Sequence, residues 1–351
     1  MVTPRTAGFS MPPEWAPHER TWMEFPPVNH YFAPPDSTTS IEHFRDAWIA
    51  VTNAVARFEP VSLICNLGDG DTARELLDRD VADNVTIYEA PITDAWFRDS
   101  GPTFLTHPDG RLGATHWSFN SWGHPEIDSR DEAQVGAFAA GIAGAELFTT
   151  DMVNEGGGIH TDGEGTVLLT RTVQLDPLRN EGWLPERAAT EVNAYIGAEK
   201  AIWVPRGLTV DYGDFGTRGH IDIVAAFVRP GVVVAHAQRD RNHPDYAVCA
   251  ENLELLRRST DARGRQLEVI EIPAPTRGRV DGSFNDWSYI NHYVCNGAVI
   301  LCSFDDPNDQ QAAAILAEQY PGREIVLVDA RSIFECGGGI HCITQQQPAT
   351  R

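Results

Sequence analysis

The chain has 351 residues, 42% hydrophobic and 22% charged, enough for a sizeable core in one large domain or two ordinary ones. Its formal net charge of −23 works against phosphate backbones, which excludes nucleic acid as a partner, while a negative field draws in cations. No apolar run of about 18 residues marks a membrane span, and residues 1–24 lack a cationic-then-apolar leader.

In chain order, a Pro-rich lead gives way to helical spacing of apolar residues over 41–58. An extended run follows at 61–67, then a helix near 72–79 and a strand at 85–90. From there one pattern recurs: strand, Gly- or Pro-rich turn, strand, amphipathic helix, strand. Its first copy is strand 103–106, turn 108–110, strand 114–119, helix 131–143 and strand 146–149. The second is 159–161, 163–165, 167–171, 185–195 and 201–205; the third is 221–228, 229–231, 232–236, 246–258 and 267–272. The fourth is 289–294, 296–297, 298–304, 310–320 and 325–329. A last strand over 340–344 opens a fifth copy that the N-terminal helix and strands can complete. One unit repeated at this spacing predicts a closed array. Tight turns make neighbouring strands antiparallel, against a doubly wound parallel sheet. The expected fold is a single α/β domain over 1–351, a five-bladed pseudo-symmetric propeller of ββαβ units.

The chemistry-bearing residues sit at one place in each unit, just before or at its first strand. They are Trp96 to Asp99, Glu155 with His160 to Asp162, His220 and Asp222, Asn291 and His292, and His341 with Cys342. Alternation along a strand would turn His220 and Asp222 toward one ligand. Each has a plainer reading: Asp99 as a turn residue before Pro102, Glu155 as a loop carboxylate, His220 as a hydrogen-bonded core histidine. Glu155 to His160 reads Glu-Gly-Gly-Gly-Ile-His, and Gly337 to His341 repeats Gly-Gly-Gly-Ile-His with Cys342 where the first copy has Thr161. The chain thus reads as one structural unit built twice, a thiol in one copy only. A thiol at a glycine-rich turn is a candidate nucleophile. The other five cysteines lie mostly in apolar strand-like contexts, which suits reduced thiols and a cytoplasmic setting. Paired carboxylates suit the five fixed donors of a guanidinium, whose central carbon a thiolate can attack.

The motifs Pro13 to Met23, Trp96 to Pro102, Phe119 to Gly123, Glu155 to Gly157, Gly219 to Asp222, Phe227 to Gly231 and Gly339 to Pro348 run nearly end to end. On these stretches the chain resembles the agmatine deiminases and related bacterial peptidylarginine deiminases, within the guanidino-group-modifying superfamily. The resemblance implies the five-bladed propeller and a hydrolytic deimination of a small cationic guanidino compound, with agmatine first, without cofactor or metal. It implies Cys342 as nucleophile, Asp99 and Asp222 as guanidinium clamps, and His220 as general acid then base. Glu155 would orient His220, and Trp96 and Asn291 would line the pocket.

Three rivals remain at this level: an amidinotransferase using the same thiol, a manganese guanidino-hydrolase using the two His-x-Asp pairs, and a guanidine-binding module without chemistry. One position departs from the family pattern. Arg218 stands where agmatine deiminases carry an acid before Gly-His-x-Asp, and Ile223 stands where they carry Asn. Arg218 either lines the substrate-tail pocket, disfavouring agmatine's ammonium, or turns outward to Asp211 or Asp214. A homo-oligomer is left open.

Overall fold

The computed structural model describes residues 2–29, 40–213, 216–277 and 283–350. In chain order the strands are β1 (His18–Glu24), β2 (Val61–Cys65), β3 (Val85–Glu89), β4 (Thr103–Thr106), β5 (Leu112–Ser118), β6 (Glu146–Val153), β7 (Ile159–Thr161) and β8 (Thr166–Thr170). They continue with β9 (Lys200–Val204), β10 (Ala225–Arg229), β11 (Val232–Ala237), β12 (Glu268–Pro273), β13 (Tyr293–Cys295), β14 (Ala298–Ser303), β15 (Glu324–Asp329) and β16 (Thr344–Pro348).

These strands form five small sheets: β4-β5-β6, β7-β8-β9, β10-β11-β12, β13-β14-β15 and β16-β1-β2-β3. In each three-stranded sheet a tight turn makes the first pair antiparallel and a helix makes the second pair parallel. This is the ββαβ unit, and the five-bladed α/β propeller is its closed array. The helices close it: Pro185–Ile196 packs on β6 as well as β9, Asp245–Arg258 on β9 as well as β11 and β12, and Asp309–Gln319 on β12 as well as β14 and β15. Helix Ile41–Ala56 does the same between β15 and β2, so each apolar helix stripe is buried between its own blade and the one before.

The fifth blade is larger than expected. β1 lies in the Pro-rich lead, where no strand is expected, and pairs antiparallel with β16 and parallel with β2. Thr21 and Trp22 are fully buried within it, and the Trp22 indole N–H donates to Gln347 Oε1 at 2.9 Å. The first and last strands thus share one sheet, which closes the ring.

Two first strands start later than the spacing predicts. The 221–228 stretch opens with a 3-10 turn, Ile221–Ile223, before β10, and only Tyr293–Cys295 of the fourth blade is strand. Cys342 does not centre a strand over 340–344; it lies on the 3-10 turn His341–Ile343, with β16 beginning at Thr344. The same cause acts each time. The turn lifts a polar side chain off the sheet into the centre, where strand alternation would have sent half of them into the core.

Candidate active site

Each blade contributes a turn just before its first strand. Asp99 lies on the short helix Phe97–Ser100 before β4, and Glu155 precedes the glycine turn before β7. Asp222 lies on the turn before β10, Asn291 two residues before β13, and Cys342 on the turn before β16. All five are buried, with His220 and Trp96. The structure brings together every expected site residue but Arg218.

The Cys342 sulfur is 3.5 Å from Asp222 Oδ2, and the Asn291 side-chain N–H donates to it at 3.2 Å. Burial, with Asp222 and Asp99 adding to it, pushes the Cys342 thiol well up, against the Asn291 and Gly339 hydrogen bonds. His220 lies between two carboxylates: Nε2 is 3.1 Å from Glu155 Oε2, and Nδ1 is 3.8 Å from Asp99 Oδ2. Burial alone would lower the imidazole; Asp99, Glu155 and Asp222 outweigh it and lift it to about 9. Burial, helped by Asp222 and Glu155, lifts Asp99 to about 6 despite His220. Glu155 goes the other way, to about 2, because Arg179 and His220 overcome its burial. Asp222 Oδ2 meets His341 Nδ1 at 2.8 Å, whereas Asp222 Oδ1 is buried without a hydrogen-bond partner and His220 Nδ1 has only the Asp99 carboxylate at 3.8 Å. A buried carboxylate oxygen left open beside a thiol is an unmet need that the N–H groups of a cationic planar ligand would satisfy.

Glycine makes the room. A Cβ on Gly157 would stand 2.5 Å from His220 Nδ1 and 3.0 Å from both Asp222 Oδ2 and Asp99 Oδ1. One on Gly338 would meet Trp96 Cζ3 at 2.7 Å and the Cys342 sulfur at 3.1 Å.

Arg218 has a left-handed backbone, φ 67°, and its Nη1 donates to Asp176 Oδ2 at 3.1 Å and Oδ1 at 3.3 Å, with the side chain 29% exposed. It does not pair with Asp211, whose carboxylate accepts the backbone N–H groups of Thr217 and Gly219; Asp214 lies outside the described residues.

Several site residues carry no assigned role in the sequence reading. Arg179 donates to Glu155 at 2.9 and 3.1 Å and to Asp176 at 2.9 Å, fixing the carboxylate that faces His220. The Trp122 indole N–H donates to Asp99 Oδ2 at 2.9 Å from a strained backbone, φ 58°. Arg98 Nε donates to the His341 carbonyl at 3.2 Å. The signal was adjacency: Arg98 precedes Asp99, and Trp122 sits in the Phe119 to Gly123 motif.

Among the described residues, Glu14, His160 and His341 are the one trio whose potential metal-ligand atoms lie within 4.8 Å of one another. A hydrogen bond of 2.9 Å joins His341 Nε2 to Glu14 Oε2 within the trio. His160 Nδ1 accepts the Phe227 N–H at 3.2 Å, so its proton is on Nε2, facing Glu14 at 3.7 Å. Both nitrogens of His341 face carboxylates. In the other His-x-Asp pair member, Asp162 Oδ1 accepts the Glu164 and Thr166 N–H groups and holds the β7–β8 turn.

Comparison with known proteins agrees along the whole chain. The family model of the Porphyromonas-type peptidyl-arginine deiminases matches residues 10–348. A Streptomyces avermitilis protein, provisionally named an agmatine deiminase, is 53% identical over 351 residues, 99% of each chain. The agmatine deiminase of Pseudomonas aeruginosa is 38% identical, with 99% of this chain and 98% of that one aligned. The structure of Enterococcus faecalis agmatine deiminase superposes with a TM-score of 0.93 at 30% identity, covering 100% of this chain and 99% of the other. The chain belongs to the Porphyromonas-type peptidyl-arginine deiminase family.

Proposed function

We propose that this protein hydrolyses a small guanidine, agmatine first among them, to the ureido product and ammonia. The observation that carries the reading is the buried set of Asp99, Asp222, His220 and Cys342 with Asp222 Oδ1 unpartnered. The guanidinium lies between Asp99 and Asp222, donating to both. Its charge offsets the two carboxylates that hold the thiol protonated, so once substrate is bound the Cys342 thiol gives its proton to solvent and stands as the thiolate. The thiolate attacks the guanidinium carbon. His220, protonated near neutral pH and held by Glu155, gives a proton to the departing nitrogen, the C–N bond breaks and ammonia leaves. A cationic amidino-thioether on Cys342 remains. His220, now neutral, takes a proton from water, the hydroxide adds to the carbon, the C–S bond breaks to return the thiolate, and the protonated ureido product gives its extra proton to solvent. With agmatine the products are N-carbamoylputrescine and ammonia.

The Asn291 N–H that faces the sulfur stabilises the thiolate, and Trp96 walls the pocket beside it. The agmatine deiminase relatives support agmatine, and so does Arg218: its charge is matched by Asp176, so a cationic tail meets no free guanidinium there. One assay tests the reading. Ammonia release from agmatine, arginine, guanidinobutyrate and alkylguanidines, without added amine acceptor, is the expected result. Urea release, or product only when an acceptor amine is added, would replace it with one of the rival reactions.

A further inference from the structure

His341 is buried, and the reaction above does not use its side chain. Its Nδ1 is 2.8 Å from Asp222 Oδ2 and its Nε2 is 2.9 Å from Glu14 Oε2. Both partners are carboxylates, which only accept when ionised, so two protons must occupy these two contacts. A neutral imidazole supplies one. The remaining Glu14 oxygen already accepts the Val294 N–H at 2.9 Å, which favours the carboxylate form. We propose that His341 is a positioning residue: an imidazolium clasped between Glu14 and Asp222 that keeps Asp222 ionised, its free Oδ1 turned to the guanidinium.

The inference deepens the proposed function and rests on Asp222 as a clamp. The surroundings agree with it. On the far side Glu14, His160, Asp222 and His341 border a void with no room for a water molecule, so no water there takes the place of either contact. Arg98 stands nearby and works against a second cation, and His160 and His292 are held neutral by burial, pushed to about 3 and about 4. On the site side Asp99, His220 and the Cys342 thiol face Asp222. Against those neighbours the two carboxylates lift His341 above the usual imidazole range, while His341 helps hold both Glu14 and Asp222 below the carboxylate range despite their burial. Without the imidazolium, Asp222 would take up a proton, and the clamp would lose the charge that captures a cation.

Three measurements test this on His341→Gln, Glu14→Gln and the double variant. In selectively 15N-histidine-labelled wild type, His341 should show both ring nitrogens protonated at pH 8. Cys342 should be alkylated by chloroacetamidine, an amidinium, faster than by neutral iodoacetamide, and His341→Gln should cut the amidinium rate by at least about 10-fold with a smaller change for iodoacetamide. The acid limb of kcat/KM should move to higher pH in both single variants, with the double variant no worse than His341→Gln because the two residues act through one proton. A role confined to packing would lower both labelling rates together and leave the acid limb in place. Should His341→Gln not fold, Glu14→Gln carries the same acid-limb and labelling tests. A singly protonated His341 at pH 8, or an unchanged labelling ratio and acid limb, overturns the inference. Wild type that turns over no guanidine would count against deimination alone, since the histidine resonance and the labelling ratio decide the clasp without turnover.

Discussion

The two Gly-Gly-Gly-Ile-His copies, identical over five residues, fold differently. In the first, the 3-10 turn falls on Gly156–Gly158, the strand begins at Ile159 and His160 is a strand residue. In the second, Gly337 takes φ 109°, the turn comes later on His341–Ile343, and the strand waits until Thr344. The acids before them diverge too: Glu155 is fully buried against His220 and Arg179, whereas the Glu335 side chain is 60% exposed and pairs with His43. So the copies are not one unit built twice. The closer equivalent of the Cys342 turn is Ile221–Ile223, where Asp222 sits before β10. What the copies share is the use of glycine: Gly157 and Gly338 both lie where a Cβ would enter the site. Local identity reports a shared need for space, and blade position decides what fills it.

Between the two glycine turns, the thiol marks the position most sensitive to substitution. Cys342→Ser should lower kcat by at least about 10³-fold with the melting temperature unchanged; near-wild-type turnover would remove Cys342 from the reaction. Next come the glycines. Gly157→Ala presses a methyl on three site residues, and kcat/KM should fall about 10- to 100-fold. The distal Gly141, whose Cβ would meet nothing within 4 Å, should accept Ala without loss.

The pH profile sharpens the contrast between the two histidine environments. The proposed reaction needs ionised Asp99 and protonated His220, so kcat/KM should fall below about 6 as Asp99 takes up a proton and above about 9 as His220 loses one. A rate that keeps rising past pH 10 would contradict His220 as the acid. His160, by contrast, is neutral and pushed down to about 3 by burial. The unfolded chain binds that proton below pH ~6.5, so His160 costs stability progressively as pH falls from there to about 3. His160→Asn should therefore flatten the acid side of the stability curve, lose about 1 kcal/mol at neutral pH with the Phe227 hydrogen bond, and leave kcat within a few-fold. Cys336→Ser should change activity least, within about two-fold, because the Cys336 thiol is pushed far up by burial and no site contact depends on it.

The blades were legible because Gly and Pro turns punctuate apolar strands at regular intervals, and the site because each polar cluster recurs at one place in that period. The family motifs then named the roles. What escaped were the features that neither periodicity nor motif carries. β1 hides among prolines because its pairing partner lies at the opposite end of the chain. The turns at Ile221–Ile223 and His341–Ile343 read as strand because their apolar residues suit either state. Arg179 and Asp176 are remote in sequence from Glu155 and Arg218, so their ion pairs appear only once the blades are assembled.

The proposed reaction stands on Cys342 carrying the substrate's amidino carbon. Acid-quenched samples taken during turnover of a slow guanidine substrate, analysed by intact mass and then peptide mapping, test it most directly. The expected result is a covalent amidino adduct on Cys342 that forms with ammonia release and is absent from Cys342→Ser. An adduct on another cysteine, or steady turnover with no adduct and urea as the product, would contradict it.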